Sequence, residues 1–175
     1  MPARTIDFAK LSLRDALDLA ALIEEEARDR YVEFAFQMET HHTPDAAHFF
    51  RFMAANEEKH RVQLTLRREA LFPRQPCTVS QLDLFEIEAP EYDEARAYMT
   101  ARGALTTALR CEEKAWGFFK RALPAAKDAE VKKLFQELLE EELMHQALVK
   151  KELEKLPADD AFDAKDFEDR PEAHD

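Results

Sequence analysis

Two short stretches of the chain carry the pattern Glu-x-x-His: Glu57-Glu58-Lys59-His60 and Glu142-Leu143-Met144-His145. On a helix, residues three apart share a face, so each pair would present a carboxylate beside an imidazole. Carboxylate-rich sets of this kind suit Fe(II) or Mn(II), whereas structural zinc prefers thiolate and imidazole. Each pair also has a glutamate partner upstream: Glu24 stands 33 residues before Glu57, and Glu112 stands 30 before Glu142. The segments around those partners echo one another. Ala21-Leu22-Ile23-Glu24-Glu25-Glu26-Ala27 matches Ala108-Leu109-Arg110-Cys111-Glu112-Glu113-Lys114-Ala115, in a register that sets Glu24 over Glu112 and Tyr31 over Phe119. One such motif is a weak signal; two, each with a partner at similar separation, describe a paired site. Because Glu24 to Glu26 and Glu140 to Glu142 are runs, the register is open by one residue. Glu141, four before His145, is the main rival to Glu142.

These residues need elements that converge. The chain of 175 residues is long enough for one domain with a real core, and 46% of it is hydrophobic. Its two glycines, Gly103 and Gly117, exclude the many tight turns of an all-β domain and the glycine-rich loops of nucleotide folds. An all-α class is expected. Helix interiors reject proline, and the prolines leave four long stretches, roughly 12–43, 45–72, 91–123 and 125–156. Each can hold a helix of about 25 residues, close to 40 Å long. The joints at residues 40–45 and around Pro124 are short, which makes antiparallel hairpins. The segment from Pro73 to Pro90 is long enough to travel back along a helix. Two antiparallel hairpins joined by a long crossover is the connectivity of a ferritin-like four-helix bundle. We place that bundle at residues 1–157 and an acidic tail at 158–175.

The core pattern of each helix breaks at its middle. The series are Leu13, Leu17, Ala20, Glu24, Ala27, Tyr31, Phe34, Met38; then Ala46, Phe50, Met53, Glu57, His60, Leu64. The second half gives Tyr98, Ala101, Leu105, Ala108, Glu112, Ala115, Phe119, and then Val131, Phe135, Leu138, Glu142, His145, Val149, Leu156. Every helix turns a glutamate inward, and two add a histidine. Burying a lone carboxylate costs several kcal/mol, and clustered ones repel each other. No lysine or arginine lies on these series near that level. Two divalent cations would cancel the four carboxylates, with neutral imidazoles completing the set.

The formal charge of −12 disfavours nucleic acid as a partner, and no apolar run is long enough for a membrane span. Cys77 and Cys111 form neither a disulfide framework nor a CxxC motif, so a cytoplasmic protein is expected. His41, His42 and His48 read as solvated turn residues, Cys111 as a small core residue, and Trp116 and Phe118 as packing groups. Tyr31 belongs near the site, either packed or hydrogen-bonded to a carboxylate.

The stretch Glu24-Glu25-Glu26-Ala27-Arg28-Asp29-Arg30-Tyr31 followed by Phe34-Ala35, with the two Glu-x-x-His pairs, resembles the rubrerythrin-type members of the ferritin-like di-iron carboxylate superfamily. The resemblance spans about residues 12–156. It implies a di-iron centre (two Fe ions, with Mn or a mixed pair as alternatives) held by Glu24, Glu57, His60, Glu112, Glu142 and His145, with Glu57 and Glu142 as bridges. It implies ferroxidase or peroxidase chemistry with O2 or H2O2, and a homodimer. Two features depart from the family. The four cysteines of a rubredoxin-like domain are absent, so electrons would come from Fe(II) itself or from a separate donor protein. Ala115 stands where rubrerythrins tend to carry a further glutamate, and His145 where they often have glutamate, which is closer to the two-histidine pattern of bacterioferritins. The alternatives are a non-catalytic iron-binding or storage subunit, and a di-iron monooxygenase.

Overall fold

The structure, a computed structural model, describes residues 6–40, 43–77, 79 and 100–157. Among the described residues, four helices make up the bundle: α1 (Leu13–Thr40), α2 (Pro44–Leu71), α3 (Ala101–Ala125) and α4 (Ala129–Lys155). Their starts are set by local chemistry. Pro44 opens α2, where its fixed φ fits and its missing N–H is not needed. Thr100 caps α3 by accepting from the Gly103 backbone N–H at 3.0 Å. Asp128 caps α4 by accepting from the N–H groups of Glu130 and Val131.

Two boundaries differ from the sequence expectation. Pro124 lies inside α3, which runs on to Ala125, and α4 begins only at Ala129. In a last turn, proline costs little: the carbonyl it leaves without a donor belongs to Lys120, which is exposed to water. The Asp128 cap then decides where α4 starts. Tyr98, the acidic tail and most of the crossover lie outside the described residues.

The buried apolar side chains fall into two separate clusters. One gathers Leu17, Ile23 and Leu64 with Phe119, Phe135 and Leu138. The other gathers Phe34, Met38, Phe50 and Met53 with Leu105 and Val149. Their membership fixes the helix directions. α1 and α4 run from the first cluster to the second, and α2 and α3 run the opposite way. Hence α1 pairs antiparallel with α2, and α3 with α4. Because α2 ends at the first cluster and α3 begins at the second, the hairpins are linked between opposite ends of the bundle. Arg68, on the last turn of α2, is paired with Asp18 of α1 at 2.8 Å and donates to the Phe72 carbonyl, which fixes that end of the first hairpin. At the other end, Arg102 of α3 donates to the Leu156 and Pro157 carbonyls and closes α4.

Candidate metal centre

Between the two apolar clusters lies a polar layer. Glu24 of α1, Glu57 of α2, Glu112 of α3, Glu142 of α4 and His145 of α4 are all buried there, none more than 5% exposed. His60, one turn beyond Glu57, is half-buried. The rings of His60 and His145 stack with centroids 5.3 Å apart and planes 10° from parallel, which brings the two Glu-x-x-His helices together at this level. All six residues singled out in the sequence therefore share one layer.

Their ligand atoms group into overlapping sets that each fit one ion. Glu57, His60 and His145 form one set; Glu112, Glu142 and His145 form another; Glu24, His60 and Glu141 form a third. Glu141 and Glu142 were rivals in the sequence, yet both belong. Successive helical residues point 100° apart, and α4 has a neighbour on each side. Glu142 turns toward Glu112 and Glu141 toward His60, whose Nδ1 is 4.0 Å from both Glu24 Oε2 and Glu141 Oε2. The spacing from Glu141 to His145 was the only signal in the sequence for this seventh residue. Glu58, inside the first motif, faces outward instead, where hydrogen bonds from Arg61 and Arg28 hold its carboxyl down at about 2.

Behind the layer, Tyr31 donates its hydroxyl to Glu112 Oε1. Gln146 donates to the Glu112 backbone carbonyl at 3.3 Å; nothing in the spacing of motifs pointed to it. Cys111 and Phe118 are buried, Trp116 is half-buried with the Lys120 ammonium over its ring, and His48 is exposed. Cys77 is exposed, and its thiol donates to the Val79 carbonyl. His41 and His42 lie outside the described residues.

The electrostatics are those of crowded carboxylates. Burial pushes Glu57 well above the usual carboxylate range, against the pull of the His145 charge and with repulsion from Glu24. Glu141 is raised by burial as well. Burial opposes a charge on His145, but its hydrogen bond to Glu112 and the fields of Glu57, Glu112 and Glu141 outweigh this and raise it to about 9. His60 goes the other way, lowered to about 4 by burial and by the charge of His145. Among the described residues, two buried atoms of this layer have no hydrogen-bond partner, Glu57 Oε1 and His60 Nδ1. The former lies 3.2 Å from His145 Nδ1, but without the alignment of a hydrogen bond. Orphaned lone pairs aimed into a layer of carboxylates fit cation ligation, and the donor set fits iron or manganese.

Helical connectivity and the buried layer define a ferritin-like bundle with a carboxylate–histidine centre. The rubrerythrin family pattern matches residues 15–153, and the chain belongs to that family. It is similar to an uncharacterized conserved protein from Magnetospirillum magnetotacticum, with 32% identity over 87% of this chain and 100% of the other, at a TM-score of 0.71. A hypothetical protein from Pyrococcus furiosus shares the fold, with 23% identity over 83% of this chain and 90% of the other, at a TM-score of 0.61. No curated protein matches the chain. Membership of the family implies di-iron binding. Among the described residues, no helix is long and apolar enough to cross a membrane.

Proposed function

We propose that the chain is a di-iron oxidoreductase of the ferroxidase or peroxidase type. Glu24, Glu57, His60, Glu112, Glu142 and His145 are its ligands, and Glu57 and Glu142 its bridges. The observation that carries this reading is the buried layer itself: four glutamates and two stacked histidines between two apolar clusters, with lone pairs on Glu57 and His60 unanswered by the protein. When bound, a di-iron pair supplies two electrons, enough to take H2O2 and two protons to two waters, or O2 and two protons to H2O2. The protein's own part is to fix the carboxylates and to keep the layer dry between its apolar clusters. Electrons come from Fe(II) as substrate or from a separate donor protein, and the working form is a homodimer. Manganese or a mixed pair would use the same ligands.

The test is metal content followed by single-turnover oxidation. Protein loaded anaerobically with Fe(II) should hold about two iron ions per chain. On mixing with O2 or H2O2 in a stopped-flow instrument, it should be oxidised faster than free Fe(II). A chain that takes up no Fe(II) would end this reading. Two bound irons that oxidise no faster than free Fe(II) would leave a storage or binding role.

A further inference from the structure

The polar layer is sealed by the apolar clusters on both sides along the bundle, and five of its glutamate and histidine side chains are almost fully buried. Among the described residues, it reaches the outside beside His60 and Glu141. His60 and Glu141 are the members with partial exposure, at 16% and 30% of their side chains. Next to them, a cavity of about 100 Å³ lies between α2 and α4. Its walls come from positions three and four apart on each helix. α2 supplies His60, Gln63, Leu64 and Arg67, and α4 supplies Leu134, Glu137, Leu138 and Glu141. Since the two helices run antiparallel, His60 faces Glu141 at the inner end and Arg67 faces Glu137 about 10 Å further along. Arg67 Nη1 and Glu137 Oε2 are 2.8 Å apart, so an ion pair bridges the cavity away from the centre. Leu64 and Leu138 are the apolar walls between.

We propose that this cavity is the port through which a small inorganic oxidant, H2O2 or O2, reaches the metal position at His60, and that the Arg67–Glu137 pair is the bar that keeps larger hydroperoxides out. The proposal rests on the di-metal reading above and specifies its substrate class. The volume holds a few waters, which is room for a molecule of two heavy atoms, and the Arg67–Glu137 pair stands across it. The lining suits H2O2 in particular: Glu137 and Glu141 accept hydrogen bonds and Arg67 donates them. Being half-exposed, the ion pair contributes little to stability, so it can be removed without unfolding the bundle. Gln63 is exposed at the rim, where a large ring can be introduced without touching the core.

Two measurements on the full chain test the port. The first is the rate of azide binding to protein loaded with Co(II), read from the visible spectrum; it reports access rather than activity. The second is stopped-flow oxidation of the Fe(II)-loaded protein by H2O2, O2 and cumene hydroperoxide. In Gln63→Trp, azide binding and oxidation by H2O2 and O2 should all slow by about tenfold or more, with bound cobalt and melting temperature unchanged. In the double variant Arg67→Ala, Glu137→Ala, the cumene hydroperoxide rate should rise about tenfold relative to the H2O2 rate. Normal cobalt loading with azide rates that Gln63→Trp does not alter would overturn the port alone. Unmodified protein oxidised as fast by cumene hydroperoxide as by H2O2 would overturn the size selection. A chain that binds no cobalt at all would show that the di-metal reading had failed, and the port with it.

Discussion

Glu112 is held from two directions, by the Tyr31 hydroxyl on its carboxylate and by Gln146 on its backbone carbonyl. Groups behind a metal ligand orient it, and losing one typically lowers metal affinity 10–100-fold. Tyr31→Phe keeps the ring and its stacking on Phe50 but removes that orientation. It should therefore weaken binding of the metal next to Glu112 by about 10–100-fold, measured by competition with a chelator, while circular dichroism stays helical. An unchanged affinity would reduce Tyr31 to a core residue. The neighbours Glu141 and Glu142 make a second contrast. Glu142 is buried between Glu112 and His145, whereas Glu141 sits at the half-exposed edge beside His60. Glu142→Ala should leave about one metal ion per chain or fewer, because a bridge is lost. Glu141→Gln should keep the pair and weaken it by about 10–100-fold. Equal losses in both variants would mean that Glu141 ligates as strongly as Glu142.

Each helix was legible because its apolar face repeats every three or four residues, and each polar intruder was legible as a break in that repeat. Charge cannot be hidden in such a face without a partner, so the six central residues stood out before any geometry was known. Less legible were features set by the environment of a single residue. Pro124 is a stop signal in sequence, but in a last turn against solvent it stops nothing. The choice between Glu141 and Glu142 is exclusive only for a single helix face, and α4 uses two. Arg67 and Glu137 belong to no motif of the sequence, and only the packing of α2 against α4 places a cavity beneath them. The start of α4, by contrast, depends on one side chain. Asp128 satisfies two of the backbone donors that an α-helix leaves open. Asp128→Ala should lower stability by about 1 kcal/mol in urea denaturation, and Asp128→Asn should recover most of it. No loss in the alanine variant would mean that water caps this helix equally well.

At the scale of the whole molecule, protons and metal ions compete for the same layer, and this gives the metal-free and loaded chains different responses to pH. In the metal-free chain His145 titrates near 9, against 6.5 when unfolded. The native state thus binds its proton more tightly, and the stability this contributes is complete below pH 6.5 and lost as pH rises through about 9. Glu57 and Glu141, both raised by burial, act with the same sign from the carboxylate range upward. His60, lowered to about 4, opposes them, since its native state holds fewer protons than the unfolded chain; its contribution grows between about 4 and 6.5 and is complete above that. Between pH 6.5 and 9, then, the metal-free melting temperature should fall, and His145→Gln should flatten that slope. Bound divalent cations need neutral imidazole and ionised carboxylate, so loading releases the His145 proton and metal affinity rises with pH. Over the same interval the Co(II)-loaded chain should hold its stability nearly level, because both it and the unfolded chain carry neutral imidazole there, and the proton release on loading should be detectable by titration calorimetry in buffers of different ionisation enthalpy. Parallel slopes in the two forms would show that the metal binds elsewhere. A metal-free slope that falls, is level in the loaded form and flattens in His145→Gln would tie proton and metal to one buried layer.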